Sequence, residues 1–226
     1  MVSVIIAAGG KGTRMGADIN KVYLKLLGKE ILVHTIEAFQ QNKNVDEIIV
    51  VTGKNDIDRC CELVKKYKLS KVTVVVKGGS TRQKSVYNGI AASKGDIIAI
   101  HDGARPLISQ QEINAVINDC REYDAAALGV SVKDTLKLVD ENGFIAKTID
   151  RELVCSIRTP QVFRRNIIME AHENAFDEEI EATDDCGIVE ALGTKIKITT
   201  GSNDNIKVTT PEDMIMATGI LKGRNI

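Results

Sequence analysis

The sequence contains no tryptophan, and only 4% of its 226 residues are aromatic. A protein that stacks successive nucleobases on aromatic side chains is therefore not indicated. Its 30 Lys and Arg residues nearly balance its 31 Asp and Glu residues, so no overall charge favours nucleic acid or an anionic membrane. No apolar run approaches the ~18 residues that cross a bilayer, and the first residues lack the basic segment of a signal peptide. We expect neither a nucleic-acid partner nor a membrane partner.

Cysteines and histidines are few and scattered. The cysteine number is odd and no Cys-x-x-Cys occurs, which excludes both a disulfide framework and a zinc site of the usual spacing. The five cysteines are Cys60, Cys61, Cys120, Cys155 and Cys186. Reduced structural thiols indicate a cytoplasmic protein, and any metal is expected to be a hard cation bound by oxygen atoms.

The sequence does contain β-branched runs that alternate with helical patterns. Val2–Ala7 is a continuous apolar run, typical of a strand buried on both faces. Ser109–Glu112 is a capping box, which predicts the start of a helix. This alternation predicts an α/β fold: a doubly wound, mostly parallel, Rossmann-like sheet with helices on both faces. No linker divides the chain, so residues 1–226 are predicted to form a single domain.

The alternation stops after Val132. Two short strand-like runs, Thr135–Val139 and Ala146–Ile149, flank Asn142-Gly143, a dipeptide typical of hairpin turns. The resulting hairpin has no helix to cover it and is expected to protrude as an arm at about 133–156. An exposed two-stranded edge requires a partner, so we expect a homodimer formed through this arm.

A glycine-rich loop, Ala7–Gly16, follows the first predicted strand directly. It would lie at the carboxyl end of the sheet, where α/β proteins bind ligands. Its spacing fits neither the dinucleotide fingerprint nor the P-loop. Its glycines allow backbone N–H groups to approach a polyanion, and Lys11, Arg14 and Lys21 supply positive charge. We predict a loop that wraps a triphosphate; a turn with solvated charges is the alternative.

Five motifs in a fixed order carry a resemblance to a known family. The glycine-rich loop resembles the Ala-Ala-Gly-x-Gly-x-Arg-Met signature of the sugar-phosphate nucleotidyltransferases. The other four motifs are His101–Pro106, Thr159–Gln161, Thr183–Asp185 and Asp204–Thr209. Together they resemble the 2-C-methyl-D-erythritol 4-phosphate cytidylyltransferases of the non-mevalonate isoprenoid pathway, from Val2 to about Leu221. One local departure is Asn20–Lys21–Val22, where the family usually has Pro-Lys-Gln.

The resemblance implies an activity. An enzyme of this family transfers a cytidylyl group from CTP to 2-C-methyl-D-erythritol 4-phosphate, with Mg²⁺, and yields CDP-methylerythritol and pyrophosphate. The nearest alternative is a ribitol 5-phosphate cytidylyltransferase of teichoic acid synthesis. The mismatch to the dinucleotide fingerprint disfavours an NAD-dependent oxidoreductase. The presence of Arg14, Lys21, Asp102, Arg105 and Lys207 together disfavours a non-catalytic nucleotide-binding regulator.

The resemblance also implies roles for individual residues. The catalytic residues are Arg14 and Lys21, which would contact the α-phosphate and the leaving pyrophosphate, with Asp102 and Lys207. The nucleotide-binding residues are Ala7, Ala8, Gly9, Gly10, Lys11, Gly12 and Thr13, with Gly79, Ser80 and Ser85 for the cytosine. The acceptor-binding residues are Arg105 and Thr183 and, from the arm of a second subunit, Thr135 and Arg151. The metal-binding residues are Asp102 and Asp204.

Several of these residues have a simpler structural interpretation. Asp102 could be a turn residue, and Thr183 could cap the helix that follows it. Asp204 lies in a sequence that is also typical of turns. Arg151 could pair with Asp150 or Glu152 at the surface.

Overall fold

The fold is described from a computed structural model, which covers residues 1–10 and 20–224. The strands are β1 (Val2–Ala7), β2 (Lys25–Leu26), β3 (Lys29–Glu30), β4 (Glu47–Thr52), β5 (Val72–Lys77), β6 (Ile97–Asp102), β7 (Ala125–Ser131), β8 (Lys137–Val139), β9 (Ile145–Thr148), β10 (Cys155–Arg164) and β11 (Lys197–Thr200). The helices are α1 (Ile31–Gln40), α2 (Ile57–Lys66), α3 (Arg82–Ala92), α4 (Gln110–Tyr123), α5 (Arg165–Asp177), α6 (Asp185–Ala191) and α7 (Pro211–Arg224).

Seven strands form the central sheet, in the order β11-β7-β10-β6-β1-β4-β5. Strand β1 pairs in parallel with β4 and β6, and β5 and β11 also pair in parallel with their neighbours. Strand β10 runs antiparallel between β6 and β7. The predicted α/β class and the mostly parallel sheet are confirmed.

Strand β10 is a central strand that the sequence pattern does not predict. Pro160 lies in its middle, and a proline cannot donate a hydrogen bond to a neighbouring strand. The pairing of β10 with β7 is accordingly interrupted between Ile157 and Gln161. The three intervening residues, which include Thr159, carry part of the site described below.

The core lies on both faces of the sheet because β1 buries both of its faces. Val4 and Ile6 pack in one apolar cluster with residues of α1, α2 and α4. Ile5 packs in a second cluster with residues of α3, α5 and α6. The predicted capping box is present, since Ser109 and Glu112 bond reciprocally at the start of α4. Helices therefore cover both faces, as a doubly wound sheet requires.

The predicted hairpin consists of β8 and β9, which pair antiparallel with each other and with no other strand of the described chain. The Asp140 carboxylate accepts the backbone N–H groups of Asn142 and Phe144 at 3.0 and 2.9 Å. Gly143 has a φ of +84°, a conformation that side chains other than glycine rarely adopt. Phe144 and Ile145 are 71% and 66% exposed, so the arm presents apolar side chains to solvent.

The carboxyl ends of the parallel strands meet at one edge of the sheet. Ala7, the last residue of β1, pairs with Asp102 at the end of β6 and with Val51 in β4. The chain after residue 203 reaches the same edge, where the Val208 N–H donates to the Ala104 carbonyl at 2.8 Å. Two of the predicted motifs are thereby brought to the end of β1, where the glycine-rich loop begins.

Candidate active site

A cleft of about 540 Å³ opens at this edge of the sheet. Its walls come from five separated stretches of the described sequence, which is typical of a ligand site at the carboxyl ends of parallel strands. The lining residues are Ala7, Ala8, Gly9, Gly10, Asn20, Lys21, Val22, Gly79, Ser80, Thr81, Arg82, Ser85, Asp102, Ala104, Lys207 and Thr209. Ten of the residues proposed from the sequence are in this set: Ala7, Ala8, Gly9, Gly10, Lys21, Gly79, Ser80, Ser85, Asp102 and Lys207.

Asp102 is a nearly buried carboxylate paired with two cations. Its Oδ2 lies 3.0 Å from Lys207 Nζ and 3.2 Å from Arg105 Nε. Burial opposes ionisation, but the positive charges of Lys207, Arg82 and Arg105 outweigh it and lower the Asp102 pKa to about 2. The carboxylate is therefore ionised at neutral pH, and its contacts are those of an ion-pair network rather than of a simple turn residue.

A buried hydrogen-bond network fixes the backbone around Asp102. The Asp102 N–H donates to Thr159 Oγ1 at 3.1 Å, and that hydroxyl lies 3.0 Å from His101 Nδ1. Burial lowers the His101 pKa to about 4, so the ring is neutral at pH 7. Because His101 Nε2 lies 3.1 Å from the Arg105 carbonyl, Nε2 carries the proton and Nδ1 accepts from Thr159. Asn205 Nδ2 donates to the Thr159 carbonyl at 2.9 Å and completes the support.

Lys21 lines the cleft on a short turn that begins at Asn20. The Asn20 side chain accepts from the Val22 N–H at 3.4 Å and donates to the Ala8 carbonyl at 2.8 Å. Val22 is buried, which anchors the turn in the core. The departure from the family's Pro-Lys-Gln pattern thus provides a capping side chain that ties Lys21 to the end of β1.

The segment predicted to read the cytosine forms a compact turn at the start of α3. Ser85 Oγ donates to the Thr81 carbonyl at 2.7 Å and accepts from the Gly79 N–H at 3.0 Å. A Cβ added at Gly79 would lie 2.5 Å from Lys84 Cβ, so the turn requires glycine there. Gly79, Ser80 and Ser85 line one wall of the cleft together.

Other predicted residues lie outside the set that lines the cleft. Arg105 is nearly buried, and its Nη1 donates to the Asn205 carbonyl at 2.9 Å. The Asp204 carboxylate lies 3.4 Å from Arg224 Nη2, and half of its side chain is exposed. In this structure the Asp204 carboxylate is therefore paired with Arg224, and Asp204 is not among the residues that line the cleft.

Thr183 and the arm residues are likewise not part of the lining. Thr183 is exposed, and the cap of α6 is Asp184, which accepts from the Gly187 N–H at 3.0 Å; Thr183 is not the cap. Thr135 and Arg151 are exposed on the arm, where Arg151 Nη1 donates to the Lys133 carbonyl at 2.8 Å. Four further proposed residues lie outside the described part of the chain: Lys11, Gly12, Thr13 and Arg14.

The described residues offer one carboxylate for a metal ion in this cleft. No group of three or more His, Cys, Asp or Glu side chains within 1–10 and 20–224 could hold a metal. Asp102 alone is suited to Mg²⁺, which commonly takes one or two protein carboxylates and completes its octahedron with phosphate oxygens and water. Both cations that pair with Asp102 contact Oδ2.

Sequence reasoning missed Arg82 and the role of Gln161. Arg82 lines the cleft and pairs with the buried Asp185 at 2.6 Å. Gln161 Oε1 accepts the N–H groups of Asp185 and Cys186, and its Nε2 donates to Asp184 at 2.7 Å. The motifs that contain Gln161 and Asp185 are visible in the sequence, but the contact between them is not.

A buried histidine behind this region makes the fold sensitive to acid. His172 packs against Tyr87 and Phe176, and neither ring nitrogen has a hydrogen-bond partner among the described residues. Burial, with a smaller contribution from Arg82, lowers its pKa from 6.5 to about 4. Because the folded-state pKa is the lower one, His172 stabilises the fold above about pH 6.5 and loses this contribution as the pH falls to 4.

The His172→Leu variant is therefore expected to lose much of this pH dependence. The shift corresponds to about 3 kcal/mol between pH 7 and pH 4. Urea unfolding at pH 7, 5.5 and 4 measures the free energy of unfolding of both proteins. Between pH 7 and pH 4 it should fall in the variant by about 3 kcal/mol less than in the wild type. Parallel pH profiles for the two proteins would contradict the assignment.

None of the helices within 1–10 and 20–224 combines the length and the apolar character needed to span a membrane.

One protein family matches the chain over nearly its whole length. The sequence model of 2-C-methyl-D-erythritol 4-phosphate cytidylyltransferase matches residues 2–223. A protein of that name from Desulforamulus reducens is 46% identical, over 99% of this chain and 97% of its own length. Another from Clostridium novyi is 46% identical, over 96% of this chain and 95% of its own length.

Solved structures with the same fold carry equivalent names. The crystal structure of 4-diphosphocytidyl-2C-methyl-D-erythritol synthase from Anaerococcus prevotii matches with a TM-score of 0.87 and 32% identity, over 98% of this chain and 96% of that one. The 2-C-methyl-D-erythritol 4-phosphate cytidylyltransferase from Thermus thermophilus matches with a TM-score of 0.80 and 27% identity, over 97% of this chain and 98% of that one.

Proposed function

The chain belongs to the 2-C-methyl-D-erythritol 4-phosphate cytidylyltransferase family, and we propose that it transfers the cytidylyl group of CTP to 2-C-methyl-D-erythritol 4-phosphate in isoprenoid precursor synthesis. The observation that carries this proposal is the full-length match at 46% identity to a protein of that name. A cleft lined by Lys21, Asp102 and Lys207 at the ligand-binding edge of the sheet supports it.

The reaction joins two anions. An oxygen of the acceptor phosphate attacks the α-phosphorus of CTP, the bond to the bridging β-phosphate oxygen breaks, and pyrophosphate leaves with the bonding electrons. The main physical barrier is the approach of two negatively charged groups to a phosphorus atom that becomes more crowded. Positioning and fixed positive charges therefore supply most of the acceleration, as they do in phosphoryl transfer generally.

The lysines of the cleft supply fixed positive charge. The family resemblance implies that Lys21, which follows the glycine-rich loop, contacts the α-phosphate and the leaving pyrophosphate together with Arg14 of that loop. Lys207 lies 3.0 Å from Asp102, which holds its ammonium group at the cleft. Asp102 in turn orients Lys207 at the cleft, so that the acceptor phosphate meets a cation that is already in place, and the ion pair with Arg105 holds Asp102 itself.

The residues of the cleft also fit a magnesium ion. Asp102 is ionised, because its pKa is lowered to about 2 despite burial, and a single carboxylate suffices when the triphosphate supplies the other oxygens. Bound Mg²⁺ would neutralise charge on the triphosphate oxygens.

The direct test is an assay of pyrophosphate release by the purified protein with CTP. Four reactions are needed: 2-C-methyl-D-erythritol 4-phosphate or ribitol 5-phosphate as the acceptor, each with Mg²⁺ or with a chelator. We expect turnover with the methylerythritol acceptor and Mg²⁺ only. Turnover with ribitol 5-phosphate alone would assign the other acceptor, and turnover in chelator would remove the metal from the proposal.

The arm makes the enzyme a homodimer in this proposal. Its exposed apolar side chains, among them Phe144 and Leu153 at 71% and 85% exposure, are those of a surface that a second copy covers. Thr135 and Arg151 lie on this arm and not in the cleft of their own chain. The family resemblance implies that both residues reach the active site of the partner subunit.

The Arg151→Ala variant is expected to raise the KM for the acceptor by about 10-fold or more, which is the scale of one charge-assisted hydrogen bond. Its melting temperature should stay close to that of the wild type, because the Arg151 side chain is exposed. Steady-state kinetics at saturating CTP measure the effect, and Lys147→Ala on the same arm serves as the control. Wild-type KM in Arg151→Ala would exclude a role for this arginine in acceptor binding.

A further inference from the structure

Arg82 is the arginine that lines the cleft within the described part of the chain. Its side chain is 35% exposed, whereas the Arg105 side chain is 8% exposed and is committed to Asp102 and to a backbone carbonyl. Arg82 also lies near enough to Asp102 to lower the pKa of that carboxyl group. A planar guanidinium group is thus present at the cleft, on the same turn as the residues predicted to read the cytosine.

A buried carboxylate holds this guanidinium group in place. Arg82 Nη2 donates to Asp185 Oδ2 at 2.6 Å, and the Asp185 side chain is only 2% exposed. Asp185 is itself fixed, because its N–H donates to Gln161 Oε1 at 3.0 Å. The contact uses one N–H of Nη2 and leaves the second N–H of Nη2, together with Nη1 and Nε, for other acceptors. Because Nη2 belongs to both pairs of parallel donors of a guanidinium group, its second N–H and a neighbouring N–H can still donate two parallel hydrogen bonds to a phosphate group.

The pair also joins two parts of the site that are 103 residues apart in the sequence. Arg82 begins α3, beside Ser80 and Ser85, and Asp185 begins α6, directly after the segment that contains Thr183. Behind them, His172 is neutral at pH 7 and packs against Tyr87, so it adds no competing charge. Because Arg82 lines the cleft, a further anion can reach its guanidinium group from there.

We propose that Arg82 is a further phosphate-binding residue of the cleft and that Asp185 is its positioning residue. The phosphate belongs either to CTP or to the acceptor. Which compound the acceptor is rests on the proposed function. In either case Arg82 binds the phosphate through the N–H groups that Asp185 leaves available, and Asp185 keeps the guanidinium group from turning away.

Three variants separate phosphate binding from a purely structural role. Arg82→Lys keeps the charge but loses the fork, and we expect phosphate binding about 10-fold weaker. Arg82→Gln removes the charge, and we expect a loss of roughly 10- to 100-fold. Because Arg82→Gln leaves Asp185 buried without a cation, the double variant Arg82→Gln/Asp185→Asn is added; it should regain stability but not phosphate binding.

Two measurements distinguish the source of the phosphate. The dissociation constant of CTP, measured by calorimetry without acceptor, reports on the nucleotide, and the KM of the acceptor at saturating CTP reports on the acceptor phosphate. A rise in either constant supports the proposal and identifies the source. Wild-type values of both constants in the folded double variant would overturn it.

Arg164→Gln is the matched control. Arg164 is also 35% exposed and also pairs with an aspartate, Asp124 at 2.9 Å, but it does not line the cleft. We expect wild-type constants for this variant. The activity of the wild-type protein with the acceptor tests the proposed function separately. The CTP dissociation constant is a binding measurement and requires no turnover. A failure of the proposed acceptor therefore leaves the nucleotide measurement interpretable.

Discussion

Replacing Lys21 by alanine is expected to lower kcat by about 10²- to 10³-fold, the usual effect of removing one fixed group that stabilises charge in a transition state. Lys21 lines the cleft beside Gly9 and Gly10, and its turn is tied to the end of β1 by Asn20. Charge on the leaving pyrophosphate increases as the bond breaks, so the lysine contributes more in the transition state than in the bound substrate. We therefore expect kcat to fall more than the KM for CTP rises.

Lys25→Ala is the control for this experiment. Lys25 is exposed on the short strand β2, four residues after Lys21, and does not line the cleft. Steady-state kinetics of both variants, with CTP and acceptor varied in turn, should show a fall in kcat for Lys21→Ala alone. Equal kcat values for Lys21→Ala and the wild type would show that this lysine does not take part in the chemistry.

The parallel part of the fold could be predicted because its signals are local. A continuous apolar run such as Val2–Ala7 indicates a strand buried on both faces, and the structure buries Val4 and Ile5 on opposite sides of the sheet. Ser109 and Glu112 lie three residues apart, so the capping box that they form can be recognised without any tertiary information. The predicted hairpin was confirmed for the same reason, since Asn142-Gly143 specifies a turn by itself.

Strand β10 could not be predicted because its stability comes from its neighbours. Polar residues and Pro160 interrupt the apolar pattern, and a proline in a run normally argues against a central strand. The structure accommodates it because β6 and β7 pair with β10 on its two sides while its pairing with β7 is interrupted there. The interruption releases Thr159 to bond with Asp102 and His101, which no local pattern can reveal.

Site residues that follow the ends of strands could be predicted from the sequence. Site residues whose role depends on a contact with a residue far away in the sequence could not. The ends of β1 and β6 placed Gly9 and Asp102 at one cleft, as the topology requires. The significance of Arg82 depends on Asp185, which is 103 residues away. Asp204 stays a prediction: its position in a motif indicates a metal ligand, and its carboxylate pairs with Arg224 at 3.4 Å outside the lining of the cleft.

The Asp102→Asn variant is expected to lose both activity and stability. It removes the carboxylate that pairs with Lys207 and Arg105, and with it the single metal-binding group that the described cleft offers. We expect kcat to fall by at least about 10²-fold, because the fixed charges around the reacting phosphates lose their common anchor. The shape of the side chain is kept, so the loss reports on the charge rather than on packing.

The stability loss at neutral pH follows from the same ion pairs. Lowering the Asp102 pKa from 3.8 to about 2 corresponds to about 2 kcal/mol, and removing one partner of a buried ion pair costs about 3–5 kcal/mol. We therefore expect the free energy of unfolding to fall by about 2–5 kcal/mol. Since a lowered folded-state pKa stabilises above the unfolded value, the difference from wild type should shrink as the pH falls from about 4 towards 2.

Asp204→Asn is the decisive comparison, because both Asp102 and Asp204 are predicted from the sequence to be metal ligands. Half of the Asp204 side chain is exposed, so this variant should stay within about 0.5 kcal/mol of the wild-type stability. If Asp102 alone holds the metal, only Asp102→Asn should require more Mg²⁺ for half-maximal turnover. A matching shift in Asp204→Asn would mean that substrate binding brings Asp204 away from Arg224 to the metal, and Asp102 would then be one of two ligands.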